Sequence, residues 1–414
     1  MGALNRLQDE VMHRKPHLAL KSFWVLFSVG LLYVSFGVCF GLLEYGVPPI
    51  LMSRGVDLAS MGWVIALYIP FGLTFLWAPL IDAKSLPWLS YRIGWIALSQ
   101  LLSSALLVVI ALGENYSPAV LFGLGLAVCF AIATMDLALD ALAVDIVGSK
   151  YRATAAGLKV AALALGGLIG GGVLVGSFDR LGWSGTFLLT AALPLVTLLP
   201  VLTLIYADRP QSFGAARASI LTTLRRPGAL RQTLLLSLTT TATIALVYFQ
   251  RPILVEMGVP LSDIGWGLGT LAPIANSFAA LAIVPILART SPAKTLAMLV
   301  CLSALFAGGT VMSIQMASTK AVMVWALLQG VASSALSVII YALILKWSSR
   351  DQSATDYSVL CGTSRLLATV TLMVVPQVIP YLNWAAFYAL AIATLCIVAL
   401  LIRREVADLA GSGS

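Results

Sequence analysis

Charge is what this sequence has least of. Only 10% of its 414 residues are Asp, Glu, Lys or Arg, against about 25% in an ordinary soluble domain. Histidine is nearly missing too: His13 and His17 both fall in the first polar segment. The five cysteines, Cys39, Cys129, Cys301, Cys361 and Cys396, lie inside apolar runs with no short spacing, so they read as small buried hydrophobes. No protein-held metal site and no resident cofactor are expected from that set. A metal carried inside its own chelator would need no protein ligands. There is no basic stripe with interleaved aromatics, which sets nucleic acid aside as a partner despite the net charge of +8. No phosphate loop, no Gly-x-Gly-x-x-Gly in a strand and helix context and no Ser/His/Asp set is visible, so enzyme chemistry is not expected. An intramembrane aspartyl protease would place its two aspartates on different helices, and a receptor would not require the matched helix interruptions described below.

What the chain does have is apolar length. With 60% hydrophobic residues, and roughly 20 apolar residues needed to span a bilayer, lipid must be the solvent for most of it. Spans are expected at 22–51, 60–82, 93–113, 119–147, 154–178 and 185–206, then at 231–257, 263–288, 295–314, 321–346, 357–380 and 384–402. An even count puts both ends on one side. Residues 1–21 carry Arg6, Arg14, Lys15 and Lys21 without a small-residue cleavage site after the first apolar run, which reads as a retained tail rather than a signal peptide. With the tails 1–21 and 403–414 and the central loop 207–230 placed in the cytosol, that side collects 19 of the 25 Lys and Arg residues. The other side has only Arg54, Arg180 and Lys320, so the charge asymmetry sets the expected orientation.

The two halves repeat each other at an offset of 203 residues. Tyr45, Pro49, Ile50, Leu51, Gly55, Val56, Leu58, Gly62, Trp63 and Pro70 match Tyr248, Pro252, Ile253, Leu254, Gly258, Val259, Leu261, Gly265, Trp266 and Pro273. Six spans separate the copies, so the halves share one orientation. The expected architecture is therefore an all-α membrane protein of twelve transmembrane helices in two parallel-repeat six-helix bundles, 22–206 and 231–402, the arrangement of the major facilitator fold. Such repeats bind their solute where they meet.

Matched prolines, Pro48 and Pro49 in the first span and Pro252 in the seventh, predict helix breaks that face protein or a water-filled cavity. Beside them lie Glu44, Tyr45, Tyr248, Phe249, Gln250 and Arg251, aromatic faces with an amide and a guanidinium that suit a ring-bearing anionic or zwitterionic solute; Tyr341 and Arg365 join them as candidate substrate contacts. In the fourth span Asp136 and Asp140 are four apart and share a face. Unpaired carboxylates at that depth are costly, so a cation or a proton must neutralise them. Lys159 and Arg365 are the available cations, with Arg365 the stronger candidate partner by depth. A pairing that changes between conformations would exchange protons, which makes Asp136, Asp140 and Lys159 the candidate coupling residues. Asp82, Arg92, Asp145 and Arg152 cluster at the cytosolic span ends as candidate gate residues. The Gly-rich run Gly166-Gly167-Leu168-Ile169-Gly170-Gly171-Gly172 in the fifth span is expected to serve close packing.

Two motifs, Phe75-Leu76-Trp77-Ala78-Pro79-Leu80-Ile81-Asp82 and the Ala-Thr-x-Asp-x-x-x-Asp-Ala-x-x-x-Asp pattern at 133–145, resemble the AmpG-related branch of the major facilitator superfamily. That branch includes muropeptide permeases and RhtX/FptX-type siderophore permeases. The compact, twelve-span form is more similar to the siderophore permeases. The resemblance implies import of an intact, pyochelin-like ferric siderophore across the cell inner membrane, coupled to protons, by a chain acting as a monomer.

Overall fold

The computed structural model describes residues 24–83, 86, 90–146, 152–205, 208, 225–226, 228–347 and 353–407. Eleven helices among them are long and apolar enough to cross a membrane. They are α1 (Trp24–Ser53), α2 (Leu58–Leu76), α3 (Tyr91–Leu112), α4 (Pro118–Ala143), α5 (Leu158–Gly176), α6 (Phe178–Leu202), α7 (Ala229–Glu256), α8 (Leu261–Leu287), α9 (Pro292–Gln315), α10 (Thr319–Ile344) and a last segment, Val359–Ala407. That segment has 49 residues, about 74 Å of helix at 1.5 Å per residue, while a hydrocarbon core is about 30 Å thick. It cannot be one span. Asn383, at φ 55° and ψ 164°, breaks it into α11 (359–382) and α12 (384–407). The result is twelve crossing helices.

Their outer faces are apolar. Leu199, Phe278 and Leu400 are 70%, 69% and 71% exposed, a surface that hydrocarbon accepts and water does not. Two separate cores lie inside. One is built chiefly from α1 to α6 around Leu32, Leu42, Ile93, Ile132 and Leu139, and the other from α7 to α12 around Leu246, Phe249, Leu336 and Leu395. The halves meet along α2 against α11 and α5 against α8, with the ends of α1 and α7 touching near the short turns.

The matched prolines act differently from the expected breaks. Pro48, Pro49 and Pro252 have no N–H to return to the carbonyls of Glu44, Tyr45 and Tyr248. In α1 the helix does not open; it widens into a π-turn over Leu42–Gly46, with Val47 N–H reaching back to the Leu42 carbonyl. In α7 the interruption falls at Phe249, between helical stretches Ala229–Tyr248 and Gln250–Glu256. Two further π-turns, Ile169–Val173 in α5 and Gly265–Gly269 in α8, pack in a row with the first. Glycine makes that row possible. A Cβ on Gly170 would lie 2.2 Å from the Val38 carbonyl oxygen, and one on Gly265 would lie 2.1 Å from the Gly176 nitrogen.

On the face where α1 starts and α12 ends, α3 starts on a carboxylate from the far end of its own half. Asp208 Oδ2 accepts from Ser90 Oγ at 2.7 Å, from the Arg92 N–H at 2.7 Å and from the Ile93 N–H at 2.9 Å. These are first-turn donors with no partner inside the helix. Farther along, Gln100 Nε2 donates to Thr197 Oγ1 and Trp183 Nε1 to the Ile110 carbonyl, which stitches α3 to α6.

Candidate functional site

A cavity of about 690 Å³ lies between the halves, walled by α1, α4 and α5 on one side and α7, α8, α10 and α11 on the other. Glu44, Tyr45, Asp136, Asp140, Lys159, Tyr248, Gln250, Arg251, Tyr341 and Arg365 all line it. Residues drawn from six helices and separated by up to 321 positions are thus gathered around one space, and the mid-helix interruptions of α1 and α7 lie in its wall.

Phe249 does not belong with them. Its side chain is fully buried in the second core, with ring centroids 5.4 Å from Phe387 and 5.9 Å from Trp384. The reason is angular: neighbours on a helix diverge by about 100°, and here that step turns Phe249 away from the cavity that Tyr248 lines. Gln250 turns its amide nitrogen back to the Leu246 carbonyl at 3.0 Å.

Arg251 lies with its guanidinium carbon 4.4 Å above the ring of Tyr45, a cation–π contact across the two halves. Its Nη1 is buried without a hydrogen-bond partner. Arg365 Nη2 contacts Tyr341 Oη at 3.4 Å. The expectation that Arg365 pairs with a carboxylate of α4 is therefore corrected: Asp140 is held by Lys159, whose Nζ is 2.5 Å from Oδ1, and by Tyr33, whose hydroxyl donates to the same oxygen at 2.7 Å. Lys159 also sits 5.0 Å from the Tyr33 ring centroid. Asp136 Oδ1 is buried with no partner.

The charges divide by half. Glu44, Asp136 and Asp140 come from α1 and α4, with Lys159 set against Asp140; the two guanidiniums, Arg251 and Arg365, come from α7 and α11. Glu44 is within electrostatic reach of both arginines. An anionic group entering the cavity meets two cations on one wall, in surroundings where charge interactions are stronger than in water. Groups of three or more His, Cys, Asp or Glu able to hold a metal are not found among the described residues.

Of the candidate gate residues, Arg92 is buried; its Nη1 donates to the Ile81 carbonyl at 3.2 Å and its guanidinium lies 4.6 Å from the Tyr91 ring centroid. It ties the start of α3 to the end of the α2 segment. The side chains of Asp82, Asp145 and Arg152 lie outside the described residues. Three contributors were missed in the sequence. Tyr33 stands eleven residues before Glu44, three helical turns away on the same face, so helical spacing would have found it. Asn276 lines the cavity from α8 with an unpartnered buried Oδ1. Asp208 sits in a loop, and no local pattern marks it as a cap for a helix 115 residues earlier.

Solved structures with this arrangement extend over nearly the whole chain. A POT family transporter in complex with 5-aminolevulinic acid superposes with a TM-score of 0.72 at 12% identity, covering 93% of this chain and 96% of its own. The nucleoside transporter NupG gives 0.68 at 15% identity, covering 92% and 99%. The fold is that of the major facilitator transporters. No protein-family model matches the chain. In sequence it is 30% identical over 154 residues to the anhydromuropeptide permease of Escherichia coli K12, covering 36% of this chain and 31% of that protein. It is 26% identical over 187 residues to a Rickettsia felis protein named as transporter AmpG 4, covering 43% and 44%. The chain thus matches about a third to under a half of the length of these relatives, and the likeness fits the AmpG-related branch.

Proposed function

We propose that this chain is a secondary transporter of the inner membrane that imports an intact ferric siderophore, of the pyochelin-like class, by alternating access coupled to protons. The observation that carries the reading is the placement of Arg251 and Arg365 on one wall of an aromatic-lined cavity, neither with a carboxylate within ion-pair distance among the described residues. A carboxylate-bearing, ring-containing chelate suits a site of this kind, and the cavity's volume of about 690 Å³ lies within the roughly 300–1,000 Å³ of small-molecule pockets. The lack of a gathered donor set among the described residues agrees with passage of the chelate whole, its iron being cargo.

The bundles 22–206 and 231–402 are the bodies that rock, joined through 207–230, with both chain ends in the cytosol and a single chain as the working unit. Asp136, Asp140 and Lys159 carry the coupling proton. Arg92, with Asp82, Asp145 and Arg152, latches the cytosolic end. Spans α2 with α11 and α5 with α8 are the seams on which such a motion turns.

A second reading, a muropeptide or other small-solute permease, is favoured by the 30% identity over 154 residues to the Escherichia coli permease. The test is uptake in cells lacking their own permeases, with labelled ferric siderophore and labelled anhydromuropeptide offered separately. Siderophore uptake that collapses with a protonophore is the expected result; uptake of the muropeptide alone overturns the siderophore reading.

A further inference from the structure

Beside the charged cavity lies a second lobe of about 400 Å³, reached through a shared wall that includes Glu44, Tyr45, Tyr341 and Arg365. Its other walls differ in character. They carry Ile65, Ile244, Ile340 and Ile344 together with Thr240, Thr243, Ser337, Ser364 and Thr369, and no further ionisable group besides Tyr68, Tyr248 and Cys361. The hydroxyls of Thr243, Ser337, Ser364 and Thr369 donate to carbonyls of their own helices. The hydroxyls of Tyr68, from α2, and Tyr248, from α7, are both buried without a hydrogen-bond partner, and their rings stand edge to face with centroids 6.5 Å apart. Leaving two buried phenol hydroxyls unpaired is costly unless something fills the need part of the time.

We propose that this lobe is a second solute subsite, which takes an uncharged aromatic ring bearing an oxygen substituent while the charged lobe takes the carboxylate of the same molecule. The proposal rests on the carboxylate reading of the first lobe. The isoleucines and the faces of Phe40 and Phe71 suit a flat apolar ring. A sugar ring would carry hydroxyls around its whole edge and bury those that face the isoleucines and phenylalanines against apolar surface. Among the hydroxyls lining this lobe, the two phenols are the ones buried without a partner, which is what a single oxygen substituent requires. Because Tyr68 and Tyr248 belong to different halves, an oxygen between them would also bridge the two bodies.

The test uses the full chain in lipid nanodiscs and two probes, 2-hydroxybenzoate and cyclohexanecarboxylate. Both carry a carboxylate; only the first brings an aromatic ring and a hydroxyl. The wild-type protein is expected to bind 2-hydroxybenzoate more tightly. The double variant Tyr68→Phe with Tyr248→Phe should weaken that probe about tenfold and leave the other unchanged, the size expected for lost hydrogen bonds. Ile340→Phe, which fills the lobe without removing a polar group, should remove the preference as well. Arg365→Gln should weaken both probes. If the phenol and Ile340 variants treat both probes alike, the subsite is overturned and the carboxylate site stands. If the wild type binds neither probe, both fall. Displacement of 2-hydroxybenzoate by N-acetylglucosamine with retained carboxylate binding would assign the lobe to a sugar and overturn the aromatic assignment.

Discussion

Lys159 Nζ and Asp140 Oδ1 lie 2.5 Å apart on the wall of the central cavity, and Tyr33, from a third helix, donates to the same oxygen. Asp136, one turn away on α4, has a buried oxygen with no such partner. Two carboxylates on one helix face thus occupy unequal surroundings. Asp140 has a cation and a hydroxyl in direct contact, and the buried oxygen of Asp136 has neither.

Coupling should therefore divide between them. Asp136→Asn is expected to leave solute exchange intact and to abolish accumulation against a gradient. Lys159→Gln leaves Asp140 without its cation, and should lower accumulation at least tenfold; adding Asp140→Asn should restore the amount of folded protein without restoring accumulation. Uptake with and without a protonophore, at matched expression, checks both.

Arg251 sets its planar guanidinium over the Tyr45 ring, 4.4 Å from the centroid, as well as carrying charge. Arg251→Lys keeps the charge and loses the plane, so affinity for a carboxylate solute should fall less than for Arg251→Ala, where a loss of roughly tenfold or more is expected. Equilibrium binding to the purified variants orders the three proteins. Unchanged affinity in Arg251→Ala would remove this residue from the site.

The seam between α5 and α8 has no room for a side chain. A Cβ on Gly265 would sit 2.1 Å from the Gly176 nitrogen, and one on Gly172 would sit 2.6 Å from the Gly269 carbonyl oxygen. Gly265→Val should hold the short-turn ends of the two halves apart. Spin labels at Ser53 and Asp263, both exposed, are expected to report a longer distance in that variant than in the parent protein.

Asp208 caps α3 with three hydrogen bonds to Oδ2. Asp208→Ala should cost about 1–2 kcal/mol, the range for a lost helix cap. Asp208→Asn keeps an acceptor oxygen and should cost less. Thermal unfolding in detergent, read as the order parent, Asn, Ala, is the measurement.

Asn383 stands at φ 55° and ψ 164°, a positive-φ conformation that glycine adopts freely and β-branched residues do not. Asn383→Gly should be neutral for folding yield, while Asn383→Val should lower it. Yield from membranes distinguishes the two.

Much of this molecule is written in its composition and spacing. The scarcity of charge and the recurring apolar runs require lipid as solvent, and the 203-residue repeat makes two like-oriented halves. The paired Tyr and Pro of α1 and α7 mark where backbone bonding is interrupted. These are local or periodic properties, so they survive without knowledge of what touches what. The partner of Asp140 is another matter. By depth along the chain Arg365 was the better candidate, yet depth says nothing of how far each helix is rotated about its axis or which helix is its neighbour. Packing settles both: α5 slides against α1 on glycines, which carries Lys159 and Tyr33 to the same carboxylate, while Arg365 meets Tyr341. The same rotation sends Phe249 into a core and leaves Tyr248 on the cavity wall. Asp208 reaches α3 only because α6 returns beside it. One-dimensional pattern specifies which segments are helices and what surrounds them; the identity of side chains that meet depends on rotations and close approaches that each helix acquires from its neighbours.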